Sequence, residues 1–117
     1  MIARIWRGRA TTANAPHYRQ HATERVFPSL EQLHGYQGAC LLARETGGEV
    51  EFLALTLWDN IEVIKGFAGD DPEMAVVEPE ARAVLSSFDD FARHYELVGG
   101  PANFTQRLAA TARGNDV

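Results

Sequence analysis

Two histidines one helical turn apart are the first candidates for chemistry. His17 and His21 are four positions apart, so a helix would place both imidazoles on one face. Histidine titrates near neutral pH, and either side chain could act as a general base that deprotonates a phenol. Zinc-binding helices share this spacing, but their accompanying glutamate is absent here and Arg19 disfavours a cation. We therefore treat both histidines as candidate catalytic residues without a metal; the alternative is partial solvation at the edge of an apolar stripe.

One arginine and four aromatic residues are candidates for substrate contact: Arg4, Trp6, Trp58, Phe67 and Tyr95. Arg4 and Trp6 share one face of a predicted strand. If that face borders a pocket, the guanidinium could bind a phenolate or carboxylate, because a buried charge demands a partner. The alternative is an arginine at the sheet edge beside an acid. The Trp58 indole ends an apolar run and could stack on a flat substrate, close a cavity, or pack in the core.

Other reactive side chains give weaker signals. His94 and Tyr95 point to opposite faces of a predicted strand, and either could reach a cavity. The acidic residues between positions 70 and 80 lack the spacing of a calcium-binding loop and indicate a solvated surface. Cys40 is the single cysteine, which excludes an intrachain disulfide. Its apolar surroundings favour burial as a small hydrophobic side chain over a reactive thiol.

Length and charge limit the function classes. The chain has 117 residues, which suits one domain with a modest core. Its net charge of -5 argues against a nucleic-acid binder, which would carry a basic stripe. No apolar stretch approaches the ~20 residues that span a membrane. The first residues lack a signal-peptide pattern, so we expect a cytoplasmic protein.

The apolar pattern predicts four strands and two main helices. The predicted strands are residues 2–9, 36–44, 49–58 and 88–98, with a hairpin at Gly47-Gly48. The predicted helices run from Pro16 to about residue 34, with a kink at Pro28, and over residues 60–68, followed by a partly helical segment at 73–85. The order βαββαβ predicts a ferredoxin-like α+β fold with an antiparallel sheet. We assign it to residues 1–98, followed by a tail at 99–117 that could form a short helix.

The third predicted strand is apolar on both faces. Leu53, Leu55 and Leu57 alternate with a second set, Phe52, Ala54, Thr56 and Trp58. Two short helices can cover only one face of such a sheet, and a monomer rarely leaves a large apolar patch exposed. We therefore predict a homodimer packed sheet to sheet.

Four short motifs resemble one known family. They are Ile-Ala-Arg-Ile-Trp at residues 2–6, Gly-Tyr-Gln-Gly at 35–38, Leu-Thr-Leu-Trp-Asp at 55–59 and His-Tyr-Glu at 94–96. Together they resemble the antibiotic biosynthesis monooxygenase domain of the dimeric α/β-barrel superfamily, over residues 1–98. The resemblance implies a homodimeric barrel with one pocket per subunit, between the sheet and the helices.

Two enzymatic branches of that family carry different site residues. The cofactor-independent branch oxidises electron-rich polycyclic phenols with molecular oxygen. Its site has an asparagine on strand three, a tryptophan ending that strand and a tyrosine on the following helix. Trp58 matches the tryptophan, whereas Ala54 and Ile64 occupy the other positions.

The haem-degrading branch matches less well. Its site uses an asparagine on strand one, a tryptophan on helix two and a histidine shortly afterwards. Phe67 occupies the helix-two position, and no histidine lies between Asp59 and Arg93. Asn14 falls beyond strand one. A haem-processing function is therefore disfavoured.

We predict a cofactor-independent monooxygenase that acts on an aromatic or polycyclic phenolic small molecule. His17 or His21 would be the base, while Trp58 and Arg4 would orient the anionic substrate. The alternative is a non-catalytic, small-molecule-binding or stress-related dimeric module. An entirely apolar cavity would favour that module, whereas inward-pointing titratable groups would favour the enzyme.

Overall fold

An antiparallel sheet carries a layer of helices on one face. The structure, a computed structural model, describes residues 1–112 of the 117-residue chain. Its strands are β1 Ile2–Thr11, β2 Tyr36–Thr46, β3 Glu49–Trp58, β4 Ser87–Phe88 and β5 Arg93–Glu96. Its helices are α1 Ala15–His21, α2 Phe27–Leu30, α3 Ile61–Ala68, α4 Pro79–Val84 and α5 Phe104–Ala112, with a π-helical segment at Ala22–Val26 between α1 and α2.

The sheet has the strand order β2-β3-β1-β4, and β5 also pairs with β1. Every pairing is antiparallel. One crossover, α1 to α2, joins β1 to β2, and a second, α3 with α4, joins β3 to the last strands. The predicted ferredoxin-like α+β fold is confirmed, and its two crossovers supply the helical wall of the site.

The first crossover helix contains a π-helical turn immediately before a proline. The Phe27 N–H donates to the carbonyl of Ala22, five residues earlier. Pro28 has no N–H and its ring crowds the carbonyl four residues before it, so a wider turn relieves both conflicts. The extra residue rotates the following side chains by about 100° around the axis. Phe27 and Leu30 are thereby buried on the same side as Tyr18.

The last predicted strand, residues 88–98, is two short strands instead of one. Residues 90–92 leave β1 and pair with residues 73–75, the segment that precedes α4, whereas the Asp89 N–H still donates to the Arg7 carbonyl at 2.9 Å. The pairing bonds run from Ala75 N–H to the Asp90 carbonyl, at 3.0 Å, and from Ala92 N–H to the Glu73 carbonyl, at 2.8 Å. The interruption therefore places the chain before α4 at the edge of the sheet.

Glycines and one cap fix the turns around the site. Gly47 and Gly48 have φ of 56° and 86° and form the predicted hairpin between β2 and β3. Gly35 has φ of 86°, and a Cβ there would lie 2.6 Å from the Val63 side chain. Only glycine therefore suits the point where the chain enters β2 past α3. The Asn60 side chain accepts from the Val63 N–H at 3.0 Å and begins α3.

The sheet face opposite α1 and α2 carries the leucine set of β3, as the alternation predicts. Ile5, Leu55 and Cys40 lie side by side across β1, β3 and β2. Leu53 and Leu55 remain partly exposed. This face, named the leucine face below, has uncovered apolar surface in the single chain.

Helix α5 lies within the predicted tail and packs against β2. Residues 113–117 of that tail lie outside the described residues. Within residues 1–112, no helix has the length and apolar character needed to cross a membrane.

Candidate functional site

A cavity of about 60 Å³ lies between the sheet and the helices. Its chemically active lining consists of Arg4, Trp6, Tyr18, His21, Phe67 and Glu78. The remaining lining is apolar apart from Thr56. A cavity of this size holds a few water molecules, whereas one that accepts benzene is about 150 Å³. Several titratable groups thus border a space that is too small for an aromatic ring without some movement.

Arg4 brings a buried positive charge to this cavity. Its side chain is 3% exposed, and burial lowers its pKa to about 10, so it stays charged at neutral pH. Nη1 donates to the Pro72 carbonyl and Nη2 donates to the Met74 carbonyl at 2.7 Å. The guanidinium also lies 5.5 Å from the centre of the Phe67 ring. No carboxylate of the described residues forms an ion pair with it, so the alternative of an arginine beside an acid is excluded among residues 1–112.

His94 lies beside Arg4 because the register pairs the two residues across β1 and β5. Its Nε2 is 3.1 Å from Nη1 of Arg4. Arginine can only donate, so His94 Nε2 accepts and carries no proton in this geometry. Burial, and after it the Arg4 charge, lowers the pKa of His94, while Glu73 and Asp71 act in the opposite direction.

The two candidate histidines have different surroundings. His21 is 9% exposed and lines the cavity, whereas His17 is exposed and lies outside it. The His21 Nε2 is 3.3 Å from Oε1 of Glu78, but this contact lacks hydrogen-bond geometry. The Tyr18 ring packs on the same wall, where burial raises its phenol pKa and keeps it neutral. Only one candidate base therefore borders the cavity.

The predicted aromatic residues form two layers. Trp6 and Phe67 line the cavity, and the Trp6 indole donates to the Asp89 carbonyl at 2.8 Å. Trp58 is 0% exposed and stacks behind Phe67, with ring centres 5.8 Å apart. Its indole donates to the Thr56 hydroxyl at 2.8 Å. Trp58 therefore supports Phe67 and does not itself line the cavity.

Tyr95 and Cys40 lie away from this cavity. Tyr95 pairs with Ala3 on the opposite side of the sheet from His94 and is exposed on the leucine face. Cys40 lies on that face too and is half-buried. Burial raises the pKa of its thiol, which disfavours the reactive thiolate.

The segment before α4 is the wall that sequence reasoning missed. Residues 76–78 line the cavity, and the carbonyls of Pro72 and Met74 bind Arg4. Its acidic flanks predicted a solvated surface, and Glu78 is indeed exposed, although its Oε1 also lies 3.3 Å from His21 Nε2. The sequence signal that this segment forms a wall is the apolar run from Met74 to Val77, which lies between Glu73 and Glu78.

No metal-binding cluster occurs among the described residues: no three histidine, cysteine or acidic side chains lie close enough together to hold an ion.

Comparison with solved structures supports the fold. The chain is similar to a "putative antibiotic biosynthesis monooxygenase" from Deinococcus radiodurans, with a TM-score of 0.59 and 15% identity over 86% of this chain and 96% of the other. It is also similar to the haem degrader MhuD from Mycobacterium tuberculosis, which holds two haems in its active site, with a TM-score of 0.58 and 20% identity over 87% and 100% of the two chains. No protein-family model matches the sequence, and no curated protein matches it significantly. At these identities the likeness establishes a shared fold.

The contact between His94 and Arg4 predicts acid destabilisation. The folded-state pKa of His94 is below its ordinary value of 6.5, so the unfolded chain binds more protons just below that pH. The stabilisation is present above about pH 6.5 and is lost as the pH falls through the lowered folded pKa. Denaturant titrations between about pH 7 and 5 should show a falling free energy of unfolding, with a shallower fall in His94→Gln.

Glutamine can still accept a bond from Arg4 but does not titrate. His34→Gln removes an exposed histidine and is the matched control. Equal pH slopes in His94→Gln and in the unmodified protein would show that the titration of His94 does not govern this acid sensitivity.

Proposed function

We propose that the chain binds an aromatic small molecule in this cavity and oxidises it with molecular oxygen, with His21 as the general base. The observation that carries the proposal is the buried His21 imidazole, which lines the cavity and has its Nε2 3.3 Å from the Glu78 carboxylate. A neutral imidazole can accept a proton there, and the carboxylate can stabilise the imidazolium that results. Inward-pointing titratable groups are what the enzymatic hypothesis expects.

The proposed reaction needs one base and one oxygen molecule. His21 Nε2 removes a proton from an anthrone-type ring CH2 group, and the electron-rich anion that forms reacts with O2. The carbon–hydrogen bonds are replaced by a carbonyl, so one oxygen atom enters the product and the other leaves as water with the two hydrogens. The substrate supplies the electrons, and this step needs no bound cofactor.

Arg4 and the aromatic side chains position the substrate in this scheme. The guanidinium stabilises the oxyanion that forms when the substrate loses its proton. Trp6 and Phe67 provide flat walls for an aromatic ring, and Trp58 holds Phe67 from behind. His17, which is exposed, has no part in the reaction.

The similarity to a putative antibiotic biosynthesis monooxygenase is compatible with this chemistry. One observation favours the rival hypothesis of a non-catalytic binder: Ala54 lines the cavity where the resembled oxygenase site has an asparagine. Haem degradation stays the less favoured alternative, since the resembled haem site needs a histidine shortly after α3 and no histidine lies between Asp59 and Arg93.

We also propose that two chains pack through their leucine faces. Leu53 and Leu55 are partly exposed there, and Leu42 and Tyr95 are more so. Arg7, Arg9 and Arg44 surround Glu51 at the other end of the face, at distances of 3.3, 3.8 and 2.7 Å. Arginines around an apolar centre are typical of a protein interface.

Oxygen uptake tests the catalytic proposal. With an anthrone-type phenol and metal-stripped protein, we expect protein-dependent uptake that falls about 10²- to 10⁴-fold in His21→Ala, because the base is lost. His17→Ala is the matched control, since it removes an exposed histidine from the same helix. Its uptake should equal that of the unmodified protein.

Equal uptake by His21→Ala would refute the proposed base. Saturable binding of the phenol without any uptake would favour the non-catalytic binder. A strong visible absorption band on adding haemin, followed by loss of that band, would instead support haem processing.

Leu55→Arg tests the interface. A charge in the centre of an apolar contact is costly to desolvate, so we expect the dimer to dissociate, with an apparent Kd raised at least about 100-fold. Light scattering should report a change from twice the 12.9 kDa chain mass to a single chain. Ala83→Arg, at an exposed position of α4, should stay dimeric. A folded Leu55→Arg variant of unchanged mass would rule out this interface.

A further inference from the structure

The chain between α3 and α4 covers the cavity and is attached to the rest of the protein mainly at residues 72–75. Residues 70–78, named the cover segment, form neither helix nor extended strand apart from one bridge, Met74 to Phe91. Two backbone bonds join it to residues 90–92 at the sheet edge. Its other attachments are the Arg4 bonds to Pro72 and Met74, the bond from Arg82 Nε to the Val77 carbonyl, the packing of Val77 on the core and the contact of Glu78 with His21.

The cover segment is the wall that can move most easily. The other walls belong to the central strands and to helices packed on them, whose displacement would break the core. The cover segment is mostly irregular, and Met74 and Val76 are exposed. Irregular segments with few buried contacts open first in folded proteins. Since about 60 Å³ cannot hold an aromatic ring, a ligand that enters must enlarge the cavity, and this segment is the wall that yields most easily.

Such a displacement must break the hydrogen bonds from Arg4 to the Pro72 and Met74 carbonyls. The Arg4 guanidinium is 3% exposed, and its charge faces two carbonyl dipoles, a ring face and a neutral imidazole, without a carboxylate among the described residues. If the segment moved away and nothing replaced the carbonyls, a buried cation would lose its acceptors at considerable cost. A carboxylate offers two oxygens in the geometry that fits the arginine fork, and each bond to it is charge-assisted.

We propose that Arg4 exchanges partners: it holds the cover segment closed through Pro72 and Met74, and it releases them to bind the carboxylate of an apolar aromatic acid. Ligand binding and release of the cover segment are then one event. The site binds anionic ligands more tightly than neutral ones, because a neutral ligand can replace the lost bonds only after it has lost a proton and become an oxyanion. The inference rests on the proposed function only in placing the ligand in this cavity, and it does not depend on the oxygen chemistry.

A matched pair of probes tests the selectivity. At constant pH 7.5, 2-naphthoate and 2-naphthalenemethanol present the same ring with and without a carboxylate. Calorimetry should give a Kd about 10- to 100-fold lower for the carboxylate, the gain expected from charge-assisted hydrogen bonds. Equal affinity for the two probes would overturn the exchange while leaving the aromatic-binding site intact.

The Arg4→Met variant tests whether Arg4 accounts for the preference for the carboxylate. Methionine fills similar space without a charge, so the variant should bind both probes with equal affinity. Arg19→Met, which removes an exposed arginine from α1, should keep the selectivity of the unmodified protein. If Arg4→Met, confirmed as folded by circular dichroism, still preferred the carboxylate, Arg4 would not be its receptor.

Amide exchange on the unmodified protein tests the release and needs no variant. Ala75 N–H is bonded to the Asp90 carbonyl, and its exchange reports whether the cover segment stays in place. Saturating 2-naphthoate should accelerate exchange in residues 73–77 at least several-fold. Unchanged or slower exchange on binding would overturn the release. If neither probe bound, both the partner exchange of Arg4 and the aromatic-binding site would be contradicted. If the protein took up oxygen with a phenol but bound the two probes equally, only the partner exchange of Arg4 would be contradicted.

Discussion

The buried charge of Arg4 is the constraint on which the site depends. A guanidinium that is 3% exposed must find acceptors, and the structure supplies them from backbone carbonyls of a segment far away in sequence. To bring that segment close, the last strand breaks into β4 and β5, and residues 90–92 pair with the segment instead of with β1. One desolvated charge therefore links the first strand, the sheet edge and the wall of the cavity.

The helical side of the cavity is shaped by a proline. Pro28 requires a wide turn before it, and that turn rotates Phe27 and Leu30 onto the wall that already contains His21. On the sheet side, Trp58 is fixed by its bond to Thr56 and supports Phe67, which in turn packs against the Arg4 guanidinium. His21 and Arg4 are thus held by separate elements on the two sides of one apolar space.

The sequence predicts the fold well because its signals are local. Alternation in β3, the Gly47-Gly48 hairpin and the cap before α3 each depend on neighbouring residues, and all agree with βαββαβ. The site depends on long-range placement and is predicted only in part. Arg4, Trp6, His21 and Phe67 line the cavity, whereas Trp58 lies behind it and His17 and Tyr95 lie away from it. Helical spacing alone could not distinguish His17 from His21, since that depends on how the helix is turned against the sheet. The cover segment was missed because its acidic flanks resemble a surface loop.

The most direct measurement is a crystal structure of the protein bound to 2-naphthoate. Partner exchange predicts both carboxylate oxygens within hydrogen-bonding distance of the Arg4 guanidinium, the naphthalene ring between Trp6 and Phe67, and the carbonyls of Pro72 and Met74 moved away. A structure in which Arg4 still binds both carbonyls while the acid occupies another place on the protein would contradict the central role of Arg4.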